Sequence, residues 1–141
     1  MIPGEMRRRM ETMMGLVIRE SDSQWEGWAD PVIGAKSPVR WKLLITGDRT
    51  PTKGLTIGIA EVPPGVSQLL HHHEPQEAYY VVEGAGTVEL EGRALAIGPG
   101  SALFIPPNAK HRVINSGTAP LRFVFVFPTD TFEEIQYHYD E

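Results

Sequence analysis

The sequence predicts an all-β fold, a single antiparallel β-barrel, and three observations carry that prediction. From Trp41 onward, short β-favouring runs alternate with turn signals at the spacing of roughly 8–12 residues typical of sandwiches and barrels. Glycine and proline (14 and 12 of 141 residues) exceed their usual combined share of about 12%, so turns are frequent. No stretch of this region carries the apolar period of a helix.

The runs follow in order. Residues 41–47, WKLLITG, close at Gly47-Asp48, and 55–62, LTIGIAEV, stop at Pro63-Pro64-Gly65, where a central strand cannot continue. EAYYVVE (77–83) ends at Gly84, and GTVELEG (86–92) sets Val88 and Leu90 against Glu89 and Glu91. RALAI (93–97) and SALFI (101–105) flank Gly98-Pro99-Gly100, and Pro106-Pro107-Asn108 precede HRVIN (111–115). LRFVFVF (121–127) places Phe123, Phe125 and Phe127 on one face and Arg122, Val124 and Val126 on the other. Asp130 and Glu133 have capping-box spacing, which predicts one helical turn over 130–135. The chain divides into an N-terminal arm and leading strands (1–38), the barrel (39–128) and a C-terminal segment near the barrel mouth (129–141), all one domain.

Composition narrows the function. A net charge of −5 argues against a nucleic-acid or anionic-membrane partner. Without cysteine there is no disulfide, thiol nucleophile or thiolate metal site, so a metal here must use histidine and carboxylate. All five methionines fall within residues 1–14, around Arg7, Arg8 and Arg9. That stretch lacks the apolar run and cleavage site of a secretory signal. No apolar run approaches the ~20 residues that span a bilayer. The expectation is a cytoplasmic protein whose N-terminal helix or tail lies on the barrel or on a second subunit. Trp25 and Trp28 lie just beyond that arm, which could cover a partner's sheet.

Four residues form a metal constellation: His71, His73, Glu77 and His111. Residues two apart on a strand share a face, so His71 and His73 point together while His72 points away; Glu77 and Tyr79 likewise share a face. Three neutral imidazoles and a carboxylate suit a divalent first-row metal, whether iron, nickel, manganese, zinc or copper. An octahedral ion held by four ligands keeps two positions for water or substrate.

The spacing is more specific still. Gly65, five residues, His71, one, His73, three, Glu77, six, Gly84 matches every fixed position of the first motif of the cupin superfamily. Gly100, five residues, Pro106, one, Asn108, two, His111, three, Asn115 resembles the second, with Asn108 where that motif has glycine; Asn tolerates the left-handed conformation better than most residues. This resemblance implies a jelly-roll cupin barrel, His71, His73, Glu77 and His111 as ligands, one divalent metal (Fe, Ni, Mn or Zn) and a homodimer. Residues 39–45 and 127–137, and the Glu77-Ala78-Tyr79 arrangement, further resemble the small single-cupin dimethylsulfoniopropionate (DMSP) lyases. Through that resemblance Tyr79 is the proton acceptor and Tyr137 its assistant in a β-elimination on a small carboxylate substrate that yields dimethyl sulfide and acrylate. Trp41 would hold the sulfonium end by cation–π attraction, and Lys42 would meet the carboxylate if it faces inward. Three rival readings remain: an iron dioxygenase, an isomerase of a small acid or sugar, and a non-catalytic metal-bearing binding cupin.

Overall fold

A computed structural model describes residues 3–140, the side chains of 11–13 apart. Ten strands are present: β1 (Arg40–Ile45), β2 (Thr56–Val62), β3 (His71–His72), β4 (Glu77–Glu83), β5 (Gly86–Leu90), β6 (Arg93–Ile97), β7 (Ala102–Ile105), β8 (His111–Ile114), β9 (Leu121–Phe127) and β10 (His138–Tyr139). They form two five-stranded antiparallel sheets, ordered β1-β2-β9-β4-β7 and β10-β3-β8-β5-β6. The predicted all-β barrel therefore takes the two-sheet form of a jelly roll.

Alternation decides which side chains reach the interior. In β9, Leu121, Phe123, Phe125 and Phe127 are buried while Arg122, Val124 and Val126 lie half-buried on the other face. This strand pairs with β2 and β4, so its phenylalanines form the spine of the core. In β4, Glu77, Tyr79 and Val81 point inward and Ala78, Tyr80 and Val82 outward, which drives one carboxylate into an apolar interior. Val62, Val81, Val88, Ile105, Val113 and Leu121 complete a core drawn from both sheets. Gly58 of β2 makes room for Phe125, whose ring atom would lie 2.2 Å from a Cβ built there. Asn108 adopts φ 60°, the left-handed conformation expected where the motif has glycine.

Phe127 is fully buried and lies edge-on to the ring of His73, 5.1 Å away. Replacing it with alanine is expected to cost about 3–5 kcal/mol of unfolding free energy, read by urea denaturation. A loss below about 1 kcal/mol would show instead that the surrounding rings close the space.

The segment before the barrel differs from expectation. Residues 3–38 hold helix α1 (Gly4–Met14), a 3-10 turn (Glu20–Asp22) and helix α2 (Pro31–Lys36), with no leading strand. A single bridge, Glu26 to Trp41, touches the sheet. Helix wins at α2 because Asp30 Oδ1 accepts from the backbone N–H groups of Val32 (2.9 Å) and Ile33 (3.3 Å), with Pro31 in the first turn. Arg8 of α1 donates to the carbonyls of Gly47 and Thr50, laying that helix against the barrel.

At the other end the helical turn expected over 130–135 is instead a single hydrogen-bonded turn, Ile135 N–H to the Phe132 carbonyl, and the expected cap shifts by one residue. Thr131 N–H donates to Glu134 Oε1 and Glu134 N–H to Thr131 Oγ1, a reciprocal pair over 131–134. Asp130 is used elsewhere, accepting from the Gly54 N–H at 2.7 Å. Beyond that turn the chain returns to pair β10 with β3, His138 opposite His72 and Tyr139 opposite His71.

Candidate metal centre

Strands β3 and β8 register at His71 opposite His111, which brings the two imidazole rings to 4.2 Å. His73 follows β3, where its carbonyl accepts the Asn108 N–H at 2.8 Å and ties the histidine run to the turn before β8. All three rings are buried, and one nitrogen of each lies within 4.8 Å of the others. His72 points away, as parity requires, and its Nδ1 donates to Asp140 at 2.9 Å.

The hydrogen bonds fix the tautomers. Nδ1 of His71 faces the Leu69 carbonyl (2.7 Å), that of His73 the Pro75 carbonyl (2.9 Å) and that of His111 the Ala109 carbonyl (2.8 Å). A carbonyl oxygen only accepts, so each Nδ1 carries its proton, and Nε2 is left to act as ligand. Burial first, then the neighbouring His111, drives His71 down to about 3, so it is neutral at physiological pH. His73 behaves differently. Burial opposes its charge, but the bond and charge of Glu77 outweigh burial and raise it.

Glu77 Oε1 lies 3.1 Å from His73 Nε2 and 3.6 Å from His111 Nε2. His111 Nε2 is buried without a hydrogen-bond partner, a cost of about 1–3 kcal/mol. A borderline divalent cation fits this donor set: three imidazoles with supported Nδ1–H groups, an orphaned lone pair and a carboxylate beside it. Binding would replace the proton shared between His73 and Glu77.

Next to the histidines lies a pocket whose lining includes His71, Glu77, Tyr79, Tyr137 and Trp41. Tyr79 is buried against Phe123, ring centroids 4.2 Å apart. Tyr137 stacks on His71 (5.4 Å, 29°) and meets His73 edge-on at 5.1 Å. Burial, then the charge of Glu77, holds both phenols well above the ordinary tyrosine range, and each adds a smaller contribution from another tyrosine.

Trp41 enters from β1 with its ring against Trp28 (4.9 Å) and Phe132 (5.8 Å). Lys42 does not reach the pocket. One step along β1 from Trp41, it lies on the outer face, where Nζ donates to the Glu20 carbonyl and sits 4.8 Å above Trp25. The inward role expected for Lys42 is thus corrected by strand parity.

The lining also includes residues with no part in the site as read from the sequence, among them Trp28, Phe132 and Tyr139. Trp28 packs inward against Trp41, Tyr137 and Tyr139 within this chain, where a partner-covering arm was expected. Tyr139 shares parity with Tyr137, the one signal that could have found it. Among the described residues, no lysine or arginine lines the pocket.

The two-sheet jelly roll with an inward histidine triad defines a cupin, and the chain belongs to that family: the cupin domain model matches residues 58–127. Within the family it is 38% identical to the dimethylsulfoniopropionate lyase DddW of Ruegeria pomeroyi, over 80% of this chain and 72% of that protein. It is 29% identical to an oxalate-binding protein of Thermotoga maritima, over 83% and 97% of the two chains. Among solved structures, the polyketide cyclase RemF from Streptomyces resistomycificus superposes with a TM-score of 0.76 at 25% identity, covering 91% of this chain and 87% of that one. No helix among the described residues is long and apolar enough to cross a membrane.

Proposed function

We propose that the protein is a metal-dependent lyase that cleaves DMSP, or a similar small carboxylate with a leaving group on its β-carbon. One observation carries the reading: the pocket joins a histidine–carboxylate cluster to aromatic walls and, among the described residues, has no lysine or arginine in its lining. A zwitterion with a carboxylate at one end and a sulfonium at the other matches that division. The identity with DddW supports the same substrate class.

In this reading His71, His73, His111 and Glu77 hold one divalent transition metal, of which iron, nickel, manganese and zinc are the candidates. When bound, that ion supplies Lewis-acid stabilisation of the charge that builds on the substrate carboxylate, and positive charge that offsets the effects of burial and Glu77 on the phenols. Trp41, Trp28 and Phe132 present ring faces to the sulfonium, worth about 0.5–2 kcal/mol. Tyr79 takes the proton from the carbon next to the carboxylate. The β-carbon–sulfur bond breaks with its electron pair going to sulfur, and a double bond forms between the two carbons. The products are dimethyl sulfide and acrylate. Tyr137, against the rings of His71 and His73, orients the ligand cluster and assists Tyr79.

The test is headspace detection of dimethyl sulfide after mixing DMSP with protein loaded in turn with iron, nickel, manganese or zinc. Release that a chelator stops is the expected result. Silence with all four metals rejects the reading, and oxygen uptake over small acids would then examine the dioxygenase alternative.

A further inference from the structure

Among the described residues, the buried side-chain polar atoms without a hydrogen-bond partner are Trp41 Nε1, His111 Nε2, Arg122 Nε and Tyr139 Oη. Buried polar groups are nearly always paired, so each exception asks for a partner from outside the fold or a reason of its own. The guanidinium of Arg122 lies among Glu20, Glu61 and Glu83 on the outer face. The other three gather at one place: His111 belongs to the triad, and Trp41 and Tyr139 line the pocket. His111 Nε2 is an acceptor and suits a cation; the remaining two offer hydrogen-bond donors.

Of these two, Tyr139 is the one set beside the histidines. Its backbone pairs opposite His71, and its ring lies 6.0 Å from that of His71. Trp41 makes its ring contacts with Trp28 and Phe132 and, among the described residues, has none with a histidine. The position of Tyr139 is also secured from both sides. Asp140 N–H donates to the Leu70 carbonyl at 2.9 Å, the Asp140 carboxylate takes the His72 Nδ1–H, and His138 stacks on His72. The fold thus fixes the phenol and leaves its hydroxyl unused.

We infer that Tyr139 positions the substrate, its hydroxyl donating a hydrogen bond to a carboxylate oxygen at the His71 side of the pocket. The inference rests on the reading of the pocket as a site for a small carboxylate. The chemistry favours an oxygen ligand, because a sulfonium or ammonium accepts no hydrogen bond. With no lysine or arginine in the lining, neutral donors are the side-chain groups left to meet an anionic oxygen.

The experiment compares wild type with Tyr139→Phe in metal-loaded protein. Metal content, kcat and the melting temperature without ligand are expected to stay close to wild type, since the ring remains and only an unpaired hydroxyl is lost. The KM for DMSP is expected to rise about fivefold to tenfold, the size of one lost hydrogen bond. The rise in melting temperature given by propionate should shrink in the variant, and the rise given by tetramethylammonium, which has no acceptor, should not. An unchanged KM together with an unchanged propionate response overturns the proposal, as does an equal loss with both ions or a lowered melting temperature of the free variant. If the wild type releases no dimethyl sulfide, the propionate and tetramethylammonium arms still decide the role of Tyr139, separately from the lyase reading.

Discussion

His111→Ala is expected to strip the protein of its metal and reduce dimethyl sulfide release to background. The expectation follows from how the site is assembled. His111 is fully buried, its ring lies 4.2 Å from that of His71, and it is the triad member contributed by a separate strand, β8. Its Nε2 has no hydrogen-bond partner, with Glu77 Oε1 3.6 Å away, while its Nδ1 is held by the Ala109 carbonyl, an arrangement that leaves Nε2 for a cation. Changes merely to groups supporting a metal ligand weaken affinity about 10–100-fold, and loss of the ligand itself should exceed about a hundredfold. Metal per chain, measured by elemental analysis after gel filtration, should fall from near one to near zero. Because alanine also opens a cavity, His111→Gln serves as the partner variant: it keeps most of the volume and lacks the imidazole. A variant that retains equimolar metal, with a native circular dichroism spectrum, would remove His111 from the ligand set.

The parts of this architecture that depend on alternation were legible in the chain before any coordinate. The bounds of β4, β6 and β9 coincide with runs read from the sequence, because each has an apolar face at period two and a glycine or proline at its end. The same parity places His71, His73, Glu77 and Tyr79 inside and His72 outside. Parity also contained the answer for Lys42: once Trp41 is inward, its neighbour is outward, and Glu20 and Trp25 are there to receive it. Other features had no local signal. Strand β10 has two residues, too few for any period, and is fixed by pairing with β3. Trp28 lies in a stretch read as an arm, and its inward docking is decided by rings from β1 and the C-terminal segment. The capping pair moved from 130–133 to 131–134 because Asp130 found a stronger use holding Gly54 across 76 residues. Tertiary contacts, not propensity, chose in each case.

Tyr79→Phe is expected to lower kcat by about a hundredfold to ten-thousandfold, the usual contribution of a general base, while leaving metal content and fold as they are. The substitution removes one oxygen from a ring that is buried against Phe123 and 3% exposed, so packing is preserved. What is lost is the acceptor that shares an inward face with Glu77, two residues along β4. Burial and the charge of Glu77 hold the phenol above its ordinary range, so the protein alone keeps it protonated at neutral pH. An acceptor of this kind functions where a neighbouring positive charge reverses that balance. The prediction therefore has two parts: kcat collapses in the variant, and KM for DMSP changes little, because the aromatic faces and the ligand cluster remain. Tyr137→Phe is the comparison. Its ring contacts with His71 and His73 survive the change, and an assisting role gives a smaller loss than that of Tyr79→Phe. If Tyr79→Phe turns over DMSP at the wild-type rate with metal bound, the proton goes elsewhere, and Tyr137→Phe becomes the variant expected to abolish release.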